Sequence, residues 1–389
     1  MDSASSPTRA GPLAGLRVVE FGGIGPAPFA AMLLADLGAQ VLRIERLQPA
    51  DIGIKKPAQY DLLARGRSVL RVDLKHPDGV ACAQAMLARS DGLIEGFRPG
   101  VMERMGLSPG ACLARNPGLV YGRVTGWGQD GPLAQSAGHD LNYIALTGVL
   151  HAIGRHDAPP TPPLNLVGDF GGGGMLLAFG MVCALLERQR SGRGQVVDAA
   201  MIDGAATLMT SIYGMMAAGL HAAPRGGNLL DSGAPHYDVY RCADGQYLAV
   251  APIEKKFREA LFGRLGWAPD DFPDLDDAAN WPATRERLAA LFATDTQRNW
   301  CDRLAGADAC VTPVLSAAQA QRHPHHQARS TFVEIDGVLQ PAPSPRFSRT
   351  PPAPPQSVRQ MPGGAAALLR HWGVESDRIG EWIRDGVVA

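Results

Sequence analysis

The sequence predicts an α/β protein whose larger domain contains a mainly parallel sheet and whose smaller domain is of the α+β type. Apolar strand segments alternate with helical segments through the first 200 residues, the pattern of a parallel sheet covered by helices. The second half begins instead with a hairpin and continues with helices. At 389 residues the chain is too long for one simple hydrophobic core. A typical domain length of about 150 residues predicts two or three units.

The first strand, residues 16–21, leads into a glycine loop, a helix and a second strand at 41–45. A unit of this kind admits a dinucleotide at Gly23 and Gly25. However, Pro28 stands where that fingerprint requires Gly or Ala for close packing of helix on strand. A parallel sheet with another ligand is therefore favoured over a nicotinamide site.

The remaining elements follow from hydrophobic period and turn residues. In the first half we expect strands at 68–74, 92–96, 119–125 and 195–199, and helices at 29–37, 78–88, 101–105, 175–187 and 201–218. In the second half we expect hairpin strands at 238–241 and 246–251, a strand at 310–315, and helices at 257–265, 281–293, 298–304, 316–323 and 364–372.

Composition excludes several classes of function. The formal net charge is -1, so nothing indicates nucleic acid as a partner. The longest apolar run, residues 175–186, is too short for a bilayer, and the N-terminal residues lack an apolar secretory segment. Six scattered cysteines without a C-x-x-C pair indicate reduced thiols in a cytoplasmic protein. No carboxylate or cysteine completes the histidine cluster at 323–326, so we expect no metal.

The stretch from Gly138 to Asp169 is the best candidate for chemistry. His139 and Asp169 each stand beside glycine, as side chains held at exposed turns do. An imidazole, with an unperturbed pKa near ~6.5, and a carboxylate make a plausible pair of proton carriers. Residues 171–174, all glycine, would let backbone N–H groups approach a developing negative charge. A helix N-cap, a glycine turn and a core histidine explain the same residues equally well.

Four basic residues stand at or shortly after predicted strand ends: Arg46, Lys75, Arg98 and Arg104. A single basic residue at such a position is usually an ordinary solvated surface side chain. Because ligands of parallel sheets bind beyond the carboxyl ends of the strands, four together favour an anionic, phosphate-bearing ligand.

An ordered series of motifs resembles the family III CoA-transferase superfamily, and within it most resembles the alpha-methylacyl-CoA racemases. The motifs cover residues 12–348 and include VVEFGGIGP, DLKHPDG, LIEGFRPGVMERMGL, GHDLNYIALTG, PLNLVGDFGGG and GAPHYDVYRCADGQYLAV. The resemblance implies the family III fold, with a large and a small domain and an interlocked homodimer. It also implies an isomerase of fatty-acid metabolism that needs no cofactor, since coenzyme A is part of the substrate.

The resemblance implies that His139 and Asp169 are the two bases that interconvert (2R)- and (2S)-2-methylacyl-CoA thioesters through an enolate. Glu254 falls at the position of the glutamate that pairs with the catalytic histidine, and would reach it across the dimer interface. The implied CoA contacts are Arg46, Val72, Asp73, Leu74, Lys75, Gly96, Phe97, Arg98, Arg104, Gly138, Asp140, Leu141, Asn142 and Tyr143. The sequence around Arg65 and Arg67 departs from the family, so their roles stay open.

The implied domains are a disordered N-terminus (1–10), a large α/β CoA-binding domain (11–200), a linker helix and loop (201–235), a small domain (236–327), and a return linker with a C-terminal part packing on the large domain (328–389). The main alternative activity is that of a CoA-transferase, in which Asp169 is the nucleophile that accepts the acyl group. His139 favours the racemase, because the transferase chemistry has no evident use for it. A non-catalytic acyl-CoA-binding protein would leave His139, Asp169 and Glu254 idle.

Overall fold

The computed structural model describes residues 10–48, 51, 53–358, 363–374 and 377–389. The chain divides into two compact units, the first formed by residues 1–147, 164–208 and 325–389, the second by residues 148–163 and 209–324. The predicted disorder of residues 1–10 lies, except for Ala10, outside the described residues.

The first unit is built on a six-stranded parallel sheet with the order β3-β2-β1-β4-β5-β6. This confirms the predicted α/β class, and the order is the doubly wound one, which reverses direction between β1 and β4. The strands are β1 Arg17–Phe21, β2 Gln40–Glu45, β3 Arg67–Arg71, β4 Gly92–Glu95, β5 Val120–Thr125 and β6 Val196–Ala200.

Helices cover both faces of this sheet. Successive strand side chains point to opposite faces, so Val18 packs in one core with α1 and α7, while Val19 packs in another with α2, α15 and α16. The helices of this unit are α1 Pro26–Asp36, α2 Pro77–Leu87, α3 Val101–Arg104, α4 Pro109–Arg115, α5 Asp140–Leu146, α7 Leu176–Ser191, α8 Met201–Leu208, α14 Pro324–Arg329, α15 Gly364–His371 and α16 Ile379–Arg384. Short 3₁₀ turns cover Ala58–Tyr60 and Leu62–Ala64, and a hairpin joins β10 Phe332–Ile335 to β11 Val338–Pro341.

A π-helix, Leu166–Met175, runs directly into α7. The apolar run is thus part of one helix, Leu166–Ser191, which by length and composition alone could cross a membrane. Its buried face packs as a core helix does, because Leu177 and Met181 are fully buried against Gly122 of β5. The expectation that the chain has no membrane partner stays a prediction.

The second unit contains the antiparallel sheet β7-β8-β9, whose first two strands form the predicted hairpin. Its core is aromatic and aliphatic, with Leu248, Phe262, Phe292 and Trp300 all buried. Its elements are α6 Val149–Ala152, α9 Thr210–Ala217, β7 Asp238–Arg241, β8 Tyr247–Val250, α10 Lys255–Leu265, α11 Trp281–Phe292, α12 Gln297–Leu304, β9 Val311–Val314 and α13 Ala317–Arg322, with 3₁₀ turns at Pro269–Asp271 and Ala278–Asn280.

The observed division differs from the predicted domains at the linker helix, at residues 148–163 and at residues 325–327, which cluster with the first unit. The helix expected at 201–218 is interrupted at Met209, and the units divide there. Residues 148–163, expected in the large domain, cluster with the second unit. Arg155 pairs there with Asp238, and Arg225 donates to the backbone oxygen of His151 at 3.0 Å.

Candidate active site

The predicted site residues of the first unit come from loops and helices that follow the carboxyl ends of the parallel strands. The strand order reverses between β1 and β4, and such a reversal opens a ligand crevice beyond the strand ends. Gly25 lies in the loop after β1, and residues 96–98 follow β4. The π-helix contacts both α5 and α1, which brings Asp169 close to the residues of these two helices.

His139 is the residue that precedes α5, and its side chain is exposed. Its backbone N–H donates to the Oδ1 of Asn142 at 3.1 Å, while the N–H of Asn142 donates back to the His139 oxygen at 2.8 Å. These two bonds satisfy groups that a helix start otherwise leaves unpaired. Asn142, a predicted CoA contact, therefore fixes the backbone that carries the imidazole.

Tyr143 holds the same turn through its ring and its hydroxyl group. Its ring is buried against Gly126, where an added Cβ would lie 2.0 Å from the ring, and it meets Trp127 edge-on at 4.7 Å. Its hydroxyl donates to the backbone oxygen of Gly138. The ring and hydroxyl are thus committed to holding residues 138–139 in place.

Asp169 lies in the first turn of the π-helix, a rare helix type that occurs often at functional sites. The side-chain amide of Asn165 donates to its Oδ2 at 3.0 Å. The carboxylate rests against Gly25, where an added Cβ would lie 3.3 Å from the same oxygen. Asn165 and Gly25 are functional neighbours that sequence reasoning missed, although Asn and Asp four residues apart on a helix are a recognisable signal.

Asp140 connects the two candidate bases. It is only 5% exposed, and its Oδ2 accepts the backbone N–H of Asp169 at 2.7 Å. Gly168 makes this approach possible, because a Cβ there would lie 2.6 Å from the same oxygen. Asp140, predicted as a substrate contact, therefore binds the backbone of Asp169 through its carboxylate.

The electrostatic surroundings raise the pKa of Asp169 above its ordinary value. Burial is the main cause, and the nearby negative charge of Asp140 adds to it. The hydrogen bond from Asn165 and the proximity of His139 lower the pKa of Asp169, but by less. Burial also raises the pKa of Tyr143, as does Asp169, whereas Arg98 lowers it. The carboxyl is thereby brought toward the range in which it can both donate and accept a proton.

The glycine run after Asp169 packs closely against two helices. Gly172 packs on α8, where an added Cβ would lie 2.7 Å from the Ala205 nitrogen. Gly174 packs on α1, where a Cβ would lie 2.6 Å from the Phe29 ring. These glycines let two helices approach the π-helix, and the expectation that the run brings N–H groups to a ligand stays a prediction.

The predicted phosphate contacts lie beyond neighbouring strands. Arg46 follows β2, and the segment Val72–Lys75 follows β3, whose Val72 N–H donates to the Glu45 oxygen at 2.8 Å. Arg98 follows β4, and Arg104 ends α3 beside Gly100. All four basic side chains are exposed, so they are available to an anionic ligand.

Residues 96–98 are held by a buried charge network. The N–H of Phe97 donates to the buried carboxylate of Glu95 at 2.8 Å, and Glu95 pairs with Arg123 of β5 at 2.8 Å. Arg123 also pairs with Glu103 of α3 at 2.9 Å. Gly96 lets α1 pack close to this turn, because an added Cβ would lie 3.1 Å from the Ala27 methyl group.

Arg65 and Arg67, whose roles the sequence left open, have structural roles. Arg67 is fully buried and pairs with Glu20 of β1 at 2.6 Å. Arg65 pairs with Asp36 and donates to the Gln340 side chain at 2.9 Å. Both guanidinium groups are occupied by protein partners.

Glu254 belongs to the second unit, where it precedes α10. Its side chain is exposed, and its charge contributes to the raised pKa of Cys310. The structure thus brings His139 and Asp169 together within the first unit, while the role expected of Glu254 stays a prediction.

Comparison with known proteins identifies the family. A sequence model of CoA-transferase family III matches residues 13–363. The chain belongs to CoA-transferase family III. Residues 364–389, which include α15 and α16, follow the part that the family III model matches.

Among family III relatives, the chain is similar to the alpha-methylacyl-CoA racemase of Mus musculus, with 43% identity over 380 residues and 97% of each chain covered. The acetyl-CoA:oxalate CoA-transferase of Acetobacter aceti is more distant, with 30% identity over 345 residues, 85% of this chain and 88% of that protein. A solved CAIB/BAIF family protein from Brucella suis shares the family III fold at a TM-score of 0.80, with 24% identity, 94% of this chain and all of that chain covered.

Proposed function

We propose that the chain is a racemase that interconverts (2R)- and (2S)-2-methylacyl-CoA thioesters by removing the α-proton from one face of the α-carbon and delivering another proton to the opposite face. The observation that carries the proposal is the pair His139 and Asp169, brought together around Asp140 with the pKa of Asp169 raised. The similarity to a racemase over 97% of both chains supports the same activity.

The proposed chemistry needs one base and one acid on opposite sides of the substrate. A thioester weakly acidifies its α-carbon, so a base removes the proton while an acid returns one to the other face, through an enolate. An imidazole serves in either role near neutral pH, and a carboxyl does so only when its pKa is raised. The surroundings of Asp169 meet that condition, so His139 and Asp169 exchange roles with the handedness of the substrate.

We propose that CoA binds through the exposed basic residues Arg46, Lys75, Arg98 and Arg104 at the carboxyl edge of the sheet. CoA carries a diphosphate and a 3′-phosphate, which guanidinium and ammonium groups bind well. We further propose that the partner subunit's Glu254 orients the imidazole of His139, as the carboxylate of a catalytic triad does. The reaction requires no resident cofactor, because CoA arrives with the substrate.

The proposal is tested by incubating the protein with one epimer of a 2-methylacyl-CoA in D₂O in the presence of a free carboxylate acceptor. We expect deuterium at the α-carbon together with the opposite epimer. His139→Ala and Asp169→Ala should each lower this rate by about 10²–10⁴-fold while free CoA still binds. His151→Ala, which removes an exposed imidazole of the second unit, is the matched control and should leave the rate unchanged.

An intact α-proton with CoA transferred to the added carboxylate would contradict the racemase and identify a transferase, with Asp169 as nucleophile. CoA affinity that fell in step with activity in both alanine variants would also count against two-base chemistry, because the variants would then be defective in binding.

We propose that the chain forms a homodimer through an apolar stripe on the helix Leu166–Ser191. Met175, Phe179, Val182 and Leu186 recur at helical spacing and are 37–67% exposed. Exposed apolar surface of this extent on one helix face is typical of an interaction site. Phe179→Asp should therefore yield monomers by light scattering, whereas Ile383→Asp on α16, an apolar side chain off the stripe that is as exposed as Val182, should not.

A Phe179→Asp protein that remained dimeric would exclude the stripe as the interface.

We also propose a cytoplasmic location and a role in fatty-acid metabolism. All six cysteines are free, which suits a reducing compartment.

A further inference from the structure

The segment after α16 lies along the strand edge that leads to the predicted CoA contacts. The N–H of Arg71 donates to the Ala389 oxygen, and the N–H of Ala389 donates back to Arg71, both at 2.9 Å. The N–H of Asp73 donates to the Val387 oxygen at 2.9 Å. Val72, between them, donates to Glu45 of β2 on the other side. Residues 71–73 are therefore held by backbone hydrogen bonds from two directions.

The same C-terminal segment is anchored in the core of the first unit. Trp382, Val387 and Val388 are all buried, in the cluster that also contains Leu70 and Val72. This gives the backbone hydrogen bonds to residues 71–73 a rigid support, since buried apolar contacts resist local opening.

An ion pair holds the chain just after the predicted CoA contacts Val72–Lys75. Arg378, one residue before α16, pairs with Asp78 in the first turn of α2 and lies over the Trp382 ring at 5.7 Å. Between Asp73 and Asp78 the chain makes a tight turn. In that turn the N–H of Lys75 donates to the Asp73 carboxylate at 3.0 Å, and a Cβ at Gly79 would lie 1.9 Å from the Asp73 oxygen.

The C-terminal segment therefore contacts residues 71–78 at both ends, and the exposed Lys75 lies between the two sets of contacts. We propose that residues 377–389 are a positioning element for CoA: they fix the loop that carries Lys75 beyond β3, the neighbour of the strand that Arg46 follows, and so determine affinity for the phosphates. This inference rests on the proposed function. The bases lie directly before α5 and on the π-helix, so the segment affects CoA binding and leaves the proton transfer unchanged.

Ordering a loop before the ligand arrives removes an entropic cost from binding. Deleting residues 387–389 should therefore weaken free CoA binding, measured by calorimetry, by about tenfold, and raise KM by the same factor while kcat changes by less than about twofold. Hydrogen–deuterium exchange should increase at the amides of residues 71–76, and saturating CoA should restore part of the protection.

Point variants separate positioning from general stability. Arg378→Gln should weaken CoA binding by about threefold, and Arg378→Lys, which keeps the charge beside Asp78, should recover most of it. Arg384→Gln, an exposed arginine of α16, is the matched control and should bind CoA normally.

Two results distinguish failure of this inference from failure of the proposed function. If the unaltered protein binds CoA and the deletion lowers only its melting temperature, the segment is structural and the inference is wrong, while the proposed function stands. If the unaltered protein binds neither CoA nor a 2-methylacyl-CoA, the proposed function fails and the inference fails with it.

Discussion

The backbone N–H of Asp169 donates to the buried carboxylate of Asp140 at 2.7 Å, so one candidate base is bonded to the residue that directly follows the other, His139. The bond fixes the position of Asp169, and the negative charge of Asp140 raises the pKa of Asp169. The other polar groups that act on that carboxyl or face it are His139, Asn165 and Tyr143. From the packed helices, Pro26 and Phe29 of α1 and Met201, Gly204 and Ala205 of α8 contact the residues that follow Asp169, and none of them is charged. Asp140 is therefore a charged neighbour whose removal should be visible in a pH profile.

We expect Asp140→Asn to lower the pKa of Asp169, because the amide still accepts the N–H but carries no charge. In the direction in which Asp169 is the base, kcat/KM rises as Asp169 ionises, so its acidic limb should move to lower pH. In the opposite direction Asp169 must be protonated, so the rate at neutral pH should fall. The measurement is kcat/KM against pH for each epimer.

Asn142→Ala serves as the control for Asp140→Asn, since it removes a polar side chain from the same helix start without removing a charge. The acidic and basic limbs of its kcat/KM profile should keep the same midpoint pH values, even if the rate itself falls. An Asp140→Asn profile with unmoved midpoints would show that Asp140 acts only as a backbone acceptor.

The ionised side chain of Asp169 should lower the free energy of unfolding at neutral pH. Its pKa in the folded chain is raised, so the fold favours the protonated carboxyl, and this contribution to stability is lost as pH rises through the folded-state pKa. Asp169→Asn keeps the shape without the charge. We expect a melting temperature about 1–3 °C higher at pH 7, and no difference below the ordinary aspartate range, alongside loss of epimerisation.

Melting temperature against pH checks this, with Asp203→Asn as the control. Asp203 is an exposed aspartate of α8, and its substitution should change little at any pH. A lower melting temperature for Asp169→Asn at pH 7 would mean that the carboxylate stabilises the fold.

The strands could be predicted from the sequence because their signal is local. Residues 41–45 were expected as a strand from alternation and turn residues alone, and β2 covers Gln40–Glu45. The interruption at Met209 could not be predicted, because apolar helix-forming residues continue on both sides of it. The break falls where the chain passes from the first unit to the second, a boundary that local sequence does not mark.

The site was predictable in part for a similar reason. His139 and Asp169 stand in recognisable motifs, but the work of the glycines at 172–174 depends on α1 and α8, which are distant in sequence. A glycine run suits a ligand and a close helix contact equally well, so the helix contacts could be found only from the fold. The burial of Arg67 likewise depends on a partner in β1, far along the chain.

Gly25 should control the position of the Asp169 carboxylate. A methyl group at Gly25 would lie 3.3 Å from Oδ2, and the residue has a φ of 69°, in the left-handed region that favours glycine. Since small displacements of a reacting group reduce rates strongly, we expect Gly25→Ala to lower kcat by about 10–100-fold with CoA affinity retained.

Gly23→Ala is the matched control in the same loop, because the nearest atom to an added Cβ there lies 4.0 Å away, at the Phe21 oxygen. Its activity should stay close to that of the unaltered protein. If both variants lost activity equally, the loop as a whole would be sensitive, and the contact with Asp169 would not be the cause.

The pair of Arg67 and Glu20 tests whether Arg67 serves the fold or the ligand. Both side chains are fully buried, and burial raises the pKa of Glu20 and lowers that of Arg67 even though each faces the other. Arg67→Met leaves the carboxylate of Glu20 uncompensated except for Arg43, so the free energy of unfolding in urea should fall by about 3–5 kcal/mol. Adding Glu20→Gln should recover part of that loss.

Lys55→Met is the control, because Lys55 and Asp51 form an exposed pair whose loss should change stability by less than about 0.5 kcal/mol. The folded fraction of Arg67→Met should bind CoA with normal affinity, since the guanidinium group is occupied by Glu20 and by the backbone oxygens of Leu63 and Pro28. Weakened CoA binding at unchanged stability would make Arg67 a ligand contact and overturn its structural assignment.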